Sequence, residues 1–151
     1  MLNLKQILAS TPRDVRQRSK NVVIIEARLA YRVRRILNSK KTKLISVPLR
    51  TLYATIYDRE TAKELGKIRR HKLYIRAIDG PAHKLSAGNH VVVSCSCENF
   101  LYVDEVALNK KDAANIRYSN AKLPVETNPL MVPQCCKHLF RLGSSVILKG
   151  M

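Results

Sequence analysis

The sequence has no tryptophan and only two phenylalanines, and with six tyrosines its aromatic fraction is 5%. A binding mode that stacks successive bases on flat side chains, as on an RRM-like platform, has too little to work with here. Long apolar runs are also missing. The longest near the start is Val22–Ile25, far short of the roughly 20 apolar residues that span a bilayer and too short for a signal-peptide core. The expectation is a soluble protein made in the cytosol, without a membrane partner.

Acids are scarce: 11 Asp and Glu stand against 28 Lys and Arg, a formal net charge of +17. Asp104, Glu105 and Asp112 fall on or near one predicted helix with no second acidic cluster to complement them, so they read as a solvated face and exclude a two-metal nuclease. His71, His83 and His90 have no recognisable partners and read as surface or loop residues.

What is present is enough for a core. At 46% hydrophobic and 26% charged, 151 residues make one ordinary domain or two very small ones, and the supply of Val, Ile and Leu argues against a disordered basic tail. The charge is unevenly placed. Residues 1–76 carry 20 Lys and Arg against 5 acids, whereas residues 77–151 carry 8 against 6. The division reads as a basic part, 1–76, that meets something anionic, and a metal-type part, 77–151, whether or not the two form one continuous domain. A charge of +17 is well beyond the magnitude of about 2 to 8 that solubility alone requires. The basic residues that cluster are Arg13, Arg16, Arg18, Lys20, Arg32, Arg34, Arg35, Lys40, Lys41, Lys43, Arg69 and Arg70. A nucleic acid, an acidic neighbour in a large assembly or an anionic membrane surface would each suit the charge, and no helix-turn-helix or basic zipper is evident.

Along the chain, Leu4, Ile7 and Leu8 mark a short helix, and Ser10-Thr11-Pro12 predicts an N-cap with Pro in the first turn of a second one. Val22–Leu37 fits both an alternating and a helical pattern, and a strand is favoured. After a turn at Asn38–Lys41, Leu44–Val47 and Leu49–Tyr57 predict a hairpin or meander that Pro48 bends or interrupts. A helix over Arg59–Arg70 and a strand over His71–Ile78 follow, the latter closed by Asp79-Gly80-Pro81. Val91–Cys97 predicts a strand, Asn99–Asn109 a helix, Ile116–Tyr118 a short strand, Ser119–Gln134 a proline-stiffened loop and Cys136–Leu148 a final helix. There is no internal repeat and no low-complexity linker. The class is α+β, with short N-terminal helices and an antiparallel β-sheet.

All four cysteines lie in two tight groups, Cys95 with Cys97 and Cys135 with Cys136, and His138 stands beside the second. A Cys-x-Cys strand sends two thiols to one side, and Cys136 with His138 adds a thiolate and an imidazole from a helix start. The set would complete a closed tetrahedral Zn²⁺ site with no open position. Buried reduced thiols and disulfides are the alternatives, although the adjacent Cys135 and Cys136 pair poorly with each other. Cys135 is left as a buried or spare thiol. A thiol nucleophile is the remaining reading of a Cys near a His, but no oxyanion motif and no orienting Asp or Asn accompany His138, so no catalytic residue is assigned.

Cys-x-Cys followed by Cys-x-His resembles the SWIM zinc finger, which uses those ligand types in that order, here at Cys95, Cys97, Cys136 and His138. The spacing departs from the common pattern, with 38 residues between Cys97 and Cys136. The wider set Cys95-Ser-Cys97-Glu-Asn-Phe100, Tyr102, Glu105–Leu108, Ile116–Asn120, Pro124, Thr127-Asn-Pro129, Pro133 and Cys136–Leu139 resembles tailed-bacteriophage virion proteins with a SWIM-like C-terminal module. The resemblance covers about residues 90–143. It implies a ββα-like zinc module at the C-terminal end of a non-enzymatic particle component. Its partners would then be other virion proteins in a symmetric assembly, or packaged DNA. A sequence-independent nucleic-acid-binding zinc module is the second reading.

Overall fold

The computed structural model describes residues 1–38, 41–78, 85, 88–115 and 128–149, with the backbone alone described for 30–50, 101–102 and 148–149. The architecture is α+β. Four antiparallel strands lie in chain order, β1 (Val22–Asn38), β2 (Lys41–Asp58), β3 (His71–Ala77) and β4 (Val91–Cys95). Helices α1 (Leu4–Ser10), α2 (Arg13–Arg18), α3 (Arg59–Leu65), α4 (Glu105–Asn109) and α5 (Lys137–Lys149) complete it, with a π-helical turn at Phe100–Asp104 leading into α4. No helix among the described residues is long and apolar enough to cross a membrane.

The first helix starts where local chemistry dictates. The Asn3 side chain accepts from the Gln6 N–H at 2.8 Å while the Gln6 side chain accepts from the Asn3 N–H at 2.9 Å, a reciprocal capping box. The predicted cap of the second helix is corrected: Pro12 itself occupies the N-cap, and no side chain caps that end. Thr11 is instead buried, its hydroxyl donating to the Ile7 carbonyl at 2.9 Å and accepting from the Cys135 N–H at 3.2 Å.

The long segment from Val22 forms a strand, as its alternation favours, and β2 runs through Pro48 without a break. The disturbance is absorbed as a register shift. Ala30 stands opposite Thr51 and Tyr31 opposite Pro48, so Leu49 and Arg50 have no partner in β1. Pro48 lies beyond the Thr51–Ile56 segment that pairs with β3, where β2 has β1 as its one partner among the described strands. The predicted helix over Arg59–Arg70 is shorter than expected, because Gly66 takes a left-handed conformation (φ 68°) and closes α3 after Leu65. The predicted strand into Cys97 ends at Cys95. The expected turn at residues 39–40, the Asp79–Pro81 closure, His83 and Ile116–Tyr118 lie outside the described residues, as does most of the proline-containing loop.

One core draws on both compositional halves, and the division at Arg76 falls inside β3. Leu52, Ile56, Leu73, Ile75, Val91 and Val93 of the sheet pack with Leu4, Ile7 and Leu8 of α1 and Leu139, Leu142 and Val146 of α5. The helices approach closely at Gly143, where an added Cβ would stand 3.0 Å from Leu8 Cδ2 and 3.2 Å from Leu4 Cδ1. This contact seats α5 against α1.

Candidate metal centre

β4 ends at Cys95, and the chain turns at Ser96 before Cys97. Ser96 is pinned across the turn: its N–H donates to the Lys72 carbonyl at 3.0 Å and its hydroxyl accepts from the Lys72 N–H at 3.0 Å. The Phe100 N–H donates to Cys97 Sγ at 3.4 Å as the following helix begins. On the opposite side, the Cys136 carbonyl accepts from the Phe140 N–H at 2.9 Å, which makes Cys136 the N-cap of α5 and places His138 in its first turn. A thiolate at that end faces the positive pole of the helix.

These four residues meet. The three sulfurs and one imidazole nitrogen lie within 4.8 Å of one another, all buried, and Cys95 Sγ is 3.9 Å from His138 Nδ1. A tetrahedral ion with metal–sulfur bonds of about 2.3 Å requires sulfur–sulfur edges of roughly 3.8 Å, so the donor set is compatible with a metal site. Burial drives the Cys95 and Cys136 thiols well above their ordinary pKa, while hydrogen bonds from Cys136 and Cys95 hold Cys97 well below it. No disulfide links the four cysteines, and Cys135 stands outside the cluster. The Cys135 thiol is pushed up to about 12 by burial and lies 3.3 Å from the Thr11 hydroxyl.

Three neighbours of the cluster are not apparent in the linear sequence. The His71 ring lies against that of His138, with centroids 4.7 Å apart, and burial together with the His138 charge holds its pKa below the ordinary value. The surface reading of His71 is therefore corrected. Extending the β3–β4 register, in which Leu73 faces Cys95, puts position 71 opposite position 97. Asp58 is the second neighbour: it is buried, takes an ion pair from Lys137 and accepts from the Thr61 hydroxyl at 2.8 Å. Burial raises its pKa, but the hydrogen bonds from Lys137 and Thr61 outweigh it and leave the group below its ordinary value. The third is Asp104, which with Glu105 is fully buried, against the expectation of a solvated face, while Asp112 is exposed. Burial pushes the Asp104 carboxyl well above its ordinary pKa, the Cys97 charge adding to the rise. A cleft of about 230 Å³ beside the cluster is lined by Arg18, Thr61, Arg69, His71, Cys97, Glu98, Asn99, Cys136, Lys137 and His138.

The predicted basic contacts divide by location. Arg13, Lys20 and Arg70 are exposed; Arg18 pairs with Asp14 at 3.4 Å and Arg69 with Glu98 at 3.5 Å, both at the surface. Arg16 is committed to the fold, its guanidinium donating to the carbonyls of Thr11 (2.9 Å), Leu8 (3.2 Å) and Ala9 (2.7 Å) at the C-terminus of α1. Arg32, Arg34 and Arg35 belong to β1 and Lys41 and Lys43 to β2 by their backbone, and Lys40 lies outside the described residues. Comparison with protein-family models, with curated proteins and with solved structures returns no match for this chain.

Proposed function

We propose that the chain is a non-enzymatic structural component of a tailed-phage virion. In this reading Zn²⁺ is bound by Cys95, Cys97, Cys136 and His138, and the basic residues dock onto an acidic virion neighbour or packaged DNA. The observation that carries the first part is the buried Cys₃His donor set, drawn from a strand end and a helix start that are far apart in the chain. Four protein donors leave no coordination position for a substrate, which is the signature of a metal that holds structure. The protein's own residues do the rest. The Phe100 N–H stabilises the Cys97 thiolate, and the Lys137–Asp58 pair ties the start of α5 to the end of β2.

The spacing of Cys-x-Cys and Cys-x-His supports the SWIM-like identity, and the SWIM-like virion resemblance over residues 90–143 supports the particle role. Charge supports the docking reading: 28 Lys and Arg against 11 acids far exceeds what solubility needs. The same charge favours the second reading, a sequence-independent nucleic-acid-binding module in which phosphate contacts supply the affinity.

The test is elemental analysis of protein purified without chelator, alongside Cys97→Ser and His138→Ala. About one zinc per chain, falling in both variants, is expected. Folded protein with no metal would overturn the zinc site. For the particle role, light scattering should show self-association into a closed ring or binding to purified virion proteins; a chain that stays monomeric and binds only DNA would favour the second reading.

A further inference from the structure

Between Ala27 and Tyr57 the sequence holds eight Lys and Arg and no acid. The sheet is uneven over the same stretch. β3 pairs with β2 only across Thr51–Ile56, whereas β1 and β2 continue together, in unbroken register, from Tyr31 opposite Pro48 to Asn38 opposite Lys41. Among the described strands this end of the ribbon has no third partner. Eight residues at about 3.3 Å each make an extension of roughly 25 Å.

The register sorts its charges. Directly opposed residues share a face and alternate residues along a strand change face. Arg32 (opposite Val47), Arg34 (opposite Ile45), Lys43 (opposite Ile36) and Lys41 (opposite Asn38) therefore occupy one face. The other face holds a single register cation, Arg35 opposite Leu44, among positions such as Tyr31, Val33 and Leu37. Cations two residues apart on one strand are spaced by about 6.7 Å, with a second row on the neighbouring strand about 4.8 Å away. A row of cations at this spacing offers successive contacts along a phosphate backbone, and a two-stranded ribbon is of the width that the major groove of duplex DNA admits.

We propose that the free end of the β1–β2 ribbon is a duplex-DNA-binding arm, entering a groove with the Arg32/Arg34/Lys41/Lys43 face and contacting phosphate without reading sequence. It rests on the reading that the anionic partner of the basic half is nucleic acid, and it specifies which element and which face does the binding. Its contacts are of the positioning kind, so affinity is governed by salt rather than by base identity.

The experiment compares binding of the full chain to a random-sequence 30-base-pair duplex across 50–300 mM salt. One variant carries Arg32→Ala, Arg34→Ala, Lys41→Ala and Lys43→Ala. Its control removes the same charge elsewhere, at exposed residues outside the basic cluster, by Lys5→Ala, Lys67→Ala, Lys110→Ala and Lys111→Ala. The arm variant should lose about 100-fold in affinity at the lowest salt, and its log–log salt slope should flatten by about 3 to 4, because each phosphate contact contributes about 0.9 to the slope. The control should stay within a few-fold of wild type. Equal losses in both variants would overturn the arm while leaving the nucleic-acid reading standing. Failure of the unaltered chain to bind duplex at 50 mM salt would overturn both, and leave an acidic protein as the partner. A version with glutamine at the four arm positions, checked by its melting curve, separates lost contacts from lost fold.

Discussion

The metal-type side of the molecule and the far end of the β1–β2 ribbon are built on opposite terms. Around Cys95, Cys97, Cys136 and His138 the chain buries its polar groups, and each element there is tied to another: β4 to β3 through Ser96 and Lys72, α5 to β2 through Lys137 and Asp58, and α5 to the α1–α2 junction through Cys135 and Thr11. The ribbon beyond Thr51 pairs only with itself among the described strands, and its sequence carries cations with no acid to answer them. One region is completed from within, by side chains that converge. The other, on the proposal above, would be completed from outside by charge of the opposite sign. The comparison teaches that net charge in this protein is a property of a place.

That contrast yields graded outcomes. The largest effect belongs to the metal: chelation, or Cys97→Ser, should cost about 5 kcal/mol or more of folding stability, seen as a fall in melting temperature under a strong chelator. A chain indifferent to the chelator would break the claim that this side is held by an ion. Next, Gly143→Val should destabilise by about 2 kcal/mol in denaturant unfolding, because its branched side chain must displace Leu8 and Leu4 of α1. Lys137→Met should cost a similar or slightly smaller amount, roughly 1.5 to 2 kcal/mol, by leaving the buried Asp58 without its cation.

The same pair has a pH signature. The folded-state pKa of Asp58 lies below its ordinary value of 3.8, so its contribution is complete above that value and is lost as pH falls through the folded one. Acid titration of stability should therefore show a decrement below about pH 4 that Lys137→Met reduces. Arg16→Ala, which frees the last carbonyls of α1, should cost about 1 kcal/mol. Smallest of all, the four arm substitutions should leave unfolding midpoints within about 0.5 kcal/mol of wild type. If they cost as much as Lys137→Met, the ribbon is part of the folding unit in the same sense as α5 and the contrast dissolves.

Much of this was legible in one dimension, for identifiable reasons. The four ligand positions are short-range patterns, x-spaced pairs at a strand end and a helix start, and such spacing reads directly as geometry. The α+β class and the strand from Val22 followed from alternation and β-branching. What escaped depends on pairing between distant segments. His71 meets His138 only because the β3–β4 register sets position 71 opposite position 97. Pro48 sits within a strand at a register shift against β1 and beyond the segment paired with β3, and both are properties of the partner strands. Asp104 and Glu105 look like surface acids by residue type, and their burial follows from how the turn after Cys97 packs inward.

The contact between α1 and α5 sets a timetable as well as a shape. Leu4 and Leu8 are synthesised some 130 residues ahead of Gly143, which they meet. At about 5 to 20 residues per second that is a wait of roughly 6 to 25 seconds. Throughout it the part of the first helix that meets Gly143 lacks its partner helix, and Cys95 and Cys97 lack Cys136 and His138. That apolar face is a natural client for whatever shields such surface in the meantime.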